Sequence, residues 1–199
     1  MRFSSETWLE LKTIQIFSAG GYRVVAVDLP GFAKTEKSEI EDKGRFLSTL
    51  IKSLGISQPV IVSPSFSGYY TLPLLMKDWK LFKGYIPVAP VGEGVLLQPI
   101  QSSCPRNRIT SADRLKELPD YFKSQIKDPI PDLSCIDTPT LVVYGEHDRS
   151  LSSAILSLIP TARSFQIPDA GHPAYLDNPL LWHTIVYNFL QRLDQLKVD

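Results

Sequence analysis

Two kinds of hydrophobic pattern alternate along the chain. Leu11, Ile14 and Phe17 recur at helical spacing up to Gly20-Gly21, and Thr7-Trp8-Leu9-Glu10 ahead of them has the form of a capping box, so a first helix is expected there. Tyr22–Val27 lacks polar alternation after Arg23, as in a strand buried on both faces of a parallel sheet, and ends in the turn Asp28-Leu29-Pro30-Gly31. Ile40, Phe46, Leu47, Leu50, Ile51 and Leu54 share one side of a helix that stops at Gly55. Pro59–Val62 reads as a strand, Gly68–Met76 as a helix, Gly84–Val88 as a strand, and Thr140–Tyr144 as a strand closed by Gly145. Ser153–Leu158 (helix), Ser164–Ile167 (strand) and the amphipathic helix Leu180–Leu196, carrying Trp182, Ile185, Val186 and Phe189, complete the pattern.

Such alternation predicts an α/β fold: a mainly parallel sheet flanked by helices, in one domain spanning residues 1–199. Ligands of these sheets bind beyond the carboxyl ends of the strands, which directs attention to the loops after Val27, Val62, Val88, Tyr144 and Ile167. Residues 92–134 break the rhythm. Polar and proline-containing, with Ser102-Ser103-Cys104-Pro105-Arg106-Asn107-Arg108 near the middle, the segment exceeds an ordinary connection of about 2 to 6 residues. Ala112, Leu115 and Leu118 sit at a spacing compatible with a short helix.

Charge narrows the classes of function. Lys plus Arg and Asp plus Glu are equal at 21 each, so no basic field draws a nucleic acid backbone. No stretch approaches the roughly 18 apolar residues needed to span a bilayer, and Met1–Glu6 lacks the apolar run of a signal peptide, so the expected location is the cytoplasm, with the nucleus also open, and no membrane partner is expected. Cys104 and Cys135 are far apart and outside any Cys-x-x-Cys spacing, indicating neither a zinc site nor a disulfide framework.

The chemistry concentrates after Val62. Ser63-Pro64-Ser65-Phe66-Ser67-Gly68 places Ser65 where a nucleophile elbow puts its serine, with Ser63 and Ser67 in the two places that are usually glycine. The alternative is a serine-rich turn in which Ser65 or Ser67 caps the helix. A serine nucleophile needs a base, and of three histidines His172 lies in a glycine-containing loop, Asp169-Ala170-Gly171-His172-Pro173, just after the last strand. His183 sits within the closing helix and reads as a packing or surface residue, and His147 as an exposed loop residue. Asp148 follows Thr140–Tyr144 across a short turn and is the candidate to orient the base, with Glu146, Asp169 and Asp177 as competitors. Ser65, Asp148 and His172 follow one another in the order of the triad of α/β-hydrolases, each just after an expected strand. The backbone N-H of Phe66 is then one donor of an oxyanion hole.

Arg2-Phe3-Ser4-Ser5-Glu6-Thr7-Trp8, Asp28-Leu29-Pro30-Gly31-Phe32, the elbow, Val88-Ala89-Pro90, Tyr144-Gly145-Glu146-His147-Asp148 and Gly171-His172-Pro173-Ala174-Tyr175-Leu176 form a second layer of information. Together they resemble the α/β-hydrolase domain-containing protein 14 family, its B-type more than its A-type, over about residues 1 to 91 and 135 to 193. The resemblance implies an α/β-hydrolase fold and makes Ser65, Asp148 and His172 the triad. It also implies hydrolysis of short acyl esters or deacetylation of protein lysine, with coenzyme A as an acyl acceptor, no bound cofactor or metal, and a transcription-related protein partner. Against the family pattern, N-terminal strands ending in a His-Gly turn are missing before Arg2, which leaves an expected gap between the strand ending at Val27 and the one ending at Val62. An inactive hydrolase-fold protein serving as an interaction module is the alternative reading. Residues 92–134 stand where hydrolases insert a lid, so they are read either as a substrate cap or, preferentially, as an atypical stretch without assigned role.

Overall fold

The computed structural model describes residues 4–98, 109–148 and 150–195. Arg2, Phe3, the stretch 102–108 with Cys104, and Leu196 therefore lie outside the described residues. Two compact units emerge, Asp42–Ala174 and a second made of Met1–Glu41 with Tyr175–Asp199.

The second unit begins with α1 (Ser5–Glu10) and α2 (Thr13–Ala19) where the sequence pattern predicts one helix. Lys12 adopts a left-handed conformation, φ 58°, which interrupts the i to i−4 ladder and separates them. The cap is Ser4, whose N-H donates to Thr7 Oγ1 at 3.5 Å, so Thr7 lies inside the first turn instead of starting the helix. Asp28 ties the following turn back to α1, accepting from Ser5 N at 2.6 Å and from Ser5 Oγ at 3.1 Å.

Tyr22–Val27 corrects the expectation of a strand. Among the described residues it joins no strand ladder, and Val25 and Val27 are 42% and 44% exposed. A strand of a parallel sheet is secured by its neighbours' hydrogen bonds, and composition alone does not substitute for them.

In Asp42–Ala174, α3 (Lys43–Ser53) starts at Asp42, whose side chain accepts from Arg45 N at 2.8 Å, and ends before Gly55 at φ 64°. β1 (Val60–Pro64) leads through a 3-10 turn, Ser65–Ser67, into α4 (Gly68–Asp78), and β2 (Gly84–Val88) follows. Three short helices, α5 (Glu93–Leu96), α6 (Ala112–Lys116) and α7 (Asp120–Lys123), occupy the described parts of the long segment. β3 (Thr140–Gly145), α8 (Leu151–Leu156) and β4 (Ala162–Ile167) complete a parallel four-stranded sheet in the order β1-β2-β3-β4. α4 packs on β1, α3 on α4, and α8 on β3.

The middle of this sheet is dry. All of β2 is buried, and Tyr85, Ile86, Val142 and Val143 are 0% exposed. Each fully buried aliphatic of this size stabilises the fold by about 1.5 to 3 kcal/mol. β1 forms the sheet's edge, with Val62 37% exposed. Pro64 pairs with Val88, Val88 with Val143, and Gly145 with Ile167, so the carboxyl ends come out along one rim.

After α9 (Ala174–Asp177), the described residues close with α10 (Pro179–Gln195), whose Trp182, Ile185, Val186, Leu190 and Leu193 are buried. Trp8, Tyr175 and Trp182 form an aromatic group there, with the Trp8 and Tyr175 centroids 4.8 Å apart. His183 is a packing residue: its Nε2 lies 2.8 Å from Thr13 Oγ1, Phe17 meets it edge-on, and burial pushes its pKa down. Cys135 is disulfide-bonded, which overturns the expectation of a chain without disulfides. No helix among the described residues is long and apolar enough to cross a membrane.

Candidate active site

Backbone conformations that side chains disfavour cluster where the strands end. Ser65 after β1, Ala89 after β2 and Asp169 after β4 have φ of 44°, 44° and 55°. For Ser and Ala the left-handed region costs of order 1 kcal/mol or more, so the surrounding structure must hold it in place. At Ser65 the restraint is visible: its carbonyl accepts from Val91 N at 2.8 Å, fastening the elbow to the loop that leaves β2.

The two serines flanking the elbow are accommodated by hydrogen bonding. Ser63 is completely buried, its Oγ 2.6 Å from Thr71 Oγ1 and 3.1 Å from Ser67 Oγ. Thr71 Oγ1 lies 3.0 Å from the hydroxyl of buried Tyr85, and Ser67 Oγ donates to the Pro64 carbonyl at 2.7 Å. Hydroxyls that would be costly to bury alone thus satisfy one another. Burial raises the Tyr85 pKa to about 12, so the phenol stays protonated. The place in this turn that demands glycine is Gly68, where an added Cβ would collide with the Val91 carbonyl. Gly68 stands three residues after Ser65, one beyond the place where the elbow pattern looks for a small residue.

A second close approach joins the loops that carry Asp148 and His172. A Cβ on Gly145 would run into the carbonyls of Gly171 and Ala170. Around that contact, Glu146 N donates to Ile167 O at 3.0 Å and His147 N to Ala170 O at 2.9 Å. Glu146 Oε2 accepts from Asp169 N at 2.9 Å. Glu146 and Asp169, competitors for the acid role in the sequence, thus bind the two loops together. The sequence shows Gly145 only as the end of a strand; its partner lies 26 residues away, and no local pattern reports such a contact.

The result is a line of three side chains. His172 Nε2 lies 2.8 Å from Ser65 Oγ, and His172 Nδ1 lies 3.0 Å from Asp148 Oδ2. Asp148's side chain is 13% exposed and His172's 42%, so the carboxylate is shielded while the imidazole remains open to solvent. The hydrogen bond to Asp148 raises the His172 pKa above its ordinary value; burial opposes the rise and the Asp148 charge adds to it. Neutral imidazole with Nδ1-H directed to the carboxylate presents a bare Nε2 to the hydroxyl. Phe66 follows Ser65 in the 3-10 turn; its ring is 54% exposed and rests against Tyr69, with centroids 5.0 Å apart. Asp177 lies in α9.

A cavity of about 350 Å³ opens beside the line, walled by His172, Asp148, Val91, Glu93, Gln125 and Ser150. Glu93 and Gln125 come from the long segment 92–134, so part of that segment borders the site. Glu146, His147 and Asp169 bring metal-capable atoms within 4.8 Å of one another, but all three are exposed, and the Glu146 carboxylate already serves in the clasp between the loops.

No family model matches the chain. Over 201 residues it is 35% identical to the Rattus norvegicus protein named "Putative protein-lysine deacylase ABHD14B", covering 97% of this chain and 80% of that one. It is 32% identical over 200 residues to Protein ABHD14A of Danio rerio, covering 96% and 62%. Among solved structures, a CIB-like hydrolase from Thermoplasma acidophilum superposes with a TM-score of 0.68 at 23% identity, over 96% of this chain and 83% of that one. A thermophilic esterase from Thermogutta terrifontis gives 0.64 at 18% identity, over 96% and 86%. The structural likenesses show that the fold is that of the α/β-hydrolases.

Proposed function

Because the chain belongs to the ABHD14 family of α/β-hydrolase domain-containing proteins, we propose that it is a serine acyl hydrolase or acyltransferase using Ser65, His172 and Asp148. The observation that carries this reading is the continuous line from Asp148 Oδ2 through the imidazole to Ser65 Oγ.

Ser65 Oγ attacks the carbonyl carbon of an acyl substrate while His172 Nε2 takes the hydroxyl proton. Asp148 remains ionised, holds the tautomer and stabilises the imidazolium. Negative charge on the carbonyl oxygen is met by the N-H of Phe66. His172 returns its proton to the leaving amine or alcohol, and the acyl group stays on Ser65. Water, or the thiol of coenzyme A, then gives its proton to His172 and attacks the acyl-enzyme; the proton passes back to Ser65 as the acyl group departs. Short acyl esters and acetylated lysine side chains are the proposed substrates, the latter supported by the name that the rat relative bears. On this reading segment 92–134 acts as a partial cap, supported by the placement of Glu93 and Gln125 on the cavity wall.

One observation favours a second reading, an interaction module on a hydrolase scaffold: β1 has a partner on one side only among the described residues, with Val62 exposed. A fluorophosphonate probe separates the two. The enzymatic reading expects labelling that Ser65→Ala abolishes and release of acetate or acetyl-coenzyme A from an acetyl-lysine peptide. An unlabelled wild-type chain that melts cooperatively, or equal labelling of the variant, would sink it.

A further inference from the structure

The reaction proposed above does not specify which groups can reach Ser65, and the cavity wall bears on that. Asp148 answers to His172, but Glu93 faces the same cavity without an ion pair among the described residues. It is half-buried at the start of α5, and its Oε2 accepts from Gly92 N at 3.3 Å, which holds the carboxylate near the wall and leaves it further capacity to accept. The bend that aims it depends on Gly92, whose φ of 131° is one that side chains rarely adopt. Otherwise Gln125 and Ser150 supply neutral polar groups, Ala89, Val91 and Leu151 apolar surface, and apart from the His172 imidazole, held by Asp148, no described lining residue carries a basic side chain.

From this arrangement we infer that the cavity takes neutral and cationic substrate groups and turns away anionic ones, with Glu93 setting the preference. An acyl or alcohol portion ending in a carboxylate would meet Glu93 in a partly desolvated space beside a second carboxylate. A quaternary ammonium would find a partner there. Short neutral acyl groups fit the space without either interaction. A partly exposed pair of charges changes binding by up to about fivefold, and that is the expected size of the preference. The inference rests on the Ser65 reading for its catalytic meaning, whereas binding in the cavity can be tested apart from it.

Two substrate pairs matched in shape test the inference. Acetylcholine against 3,3-dimethylbutyl acetate places a cation or its uncharged isostere on the alcohol side; p-nitrophenyl hydrogen adipate against p-nitrophenyl heptanoate places an anion or a neutral terminus on the acyl side. In at least one pair kcat/KM should favour the more positive member by about fivefold, which also identifies the end of the substrate that occupies the cavity. Glu93→Gln, which keeps an acceptor for Gly92, should erase that preference; Glu93→Asp should keep most of it and Glu93→Lys should reverse it. The same charge preference in wild type and Glu93→Gln in both pairs overturns the inference, as does the absence of any preference in the wild type. Should no ester be turned over, the Ser65 reading fails, and Glu93 is judged by saturation-transfer NMR with choline and 3,3-dimethylbutanol. A choline signal that falls in Glu93→Gln while the dimethylbutanol signal holds supports it, and equal responses refute it.

Discussion

β2 and the segment 22–27 are both short apolar runs, yet they end in opposite environments. Every residue of Gly84–Val88 is buried between β1 and β3, whereas in 22–27 the side chains of Val25 and Val27 remain 42% and 44% exposed and no ladder forms among the described residues. Hydrophobic content alone therefore does not make a strand here; a neighbour whose backbone completes its ladder of hydrogen bonds does. Where those neighbours exist, the rim also carries the groups proposed for catalysis. Where they do not, nothing of the proposed chemistry is found.

Perturbing the rim should have the largest effect on activity. Asp148→Asn is expected to lower kcat by about a thousandfold or more, since the amide no longer stabilises the imidazolium. The remaining activity should show its acidic limb at lower pH: the Asp148 contact raises the His172 pKa, so removing it lets the imidazole lose its proton, and act as base, in more acidic solution. A pH-rate profile whose acidic limb stays in place would break the assignment of Asp148 to His172.

Gly145→Ala comes next. Its methyl group must displace the Gly171 and Ala170 carbonyls, and a loss above about 4 kcal/mol by denaturant unfolding is expected, together with loss of probe labelling. Full labelling at wild-type stability would mean that the loops do not need this contact.

Truncation inside and outside the sheet tests the comparison itself. Ile86→Ala in β2 should cost about 2 to 5 kcal/mol, and Val25→Ala no more than about 0.5 kcal/mol. Comparable losses at the two positions would show that 22–27 is held by packing after all. The smallest effect is expected at Tyr85→Phe. It deletes the end of the buried hydroxyl chain under the elbow and should cost about 1 kcal/mol with the fold preserved. A rise in stability would argue that Thr71 and Ser63 satisfy each other without the phenol.

Much of the fold can be read directly along the chain. The runs around β1 to β4 and the periodic stretches that become α3, α4 and α10 lie within a few residues of their expected bounds, because core-facing periodicity is a local property. The first helix is less legible: a left-handed Lys12 divides it, and lysine carries no local signal for that conformation. Likewise His183 reads as packing or surface until its contacts with Thr13 and Phe17 are seen.

For the candidate site, the sequence by itself determined the chemical types, their order and their positions just past expected strands: a serine, an aspartate and a histidine, the residue types proposed for acyl transfer. Only the tertiary structure decided that His172 lies 2.8 Å from Ser65 Oγ and 3.0 Å from Asp148, that Glu146 and Asp169 serve as a clasp, and that Glu93 borders the cavity. Only it, too, left 22–27 outside the sheet. The division has a physical cause. Side-chain type and periodicity are fixed residue by residue, whereas ladder partners, carbonyls closing on Gly68 and Gly145, and shared buried hydroxyls join segments far apart along the chain and exist only once it has folded.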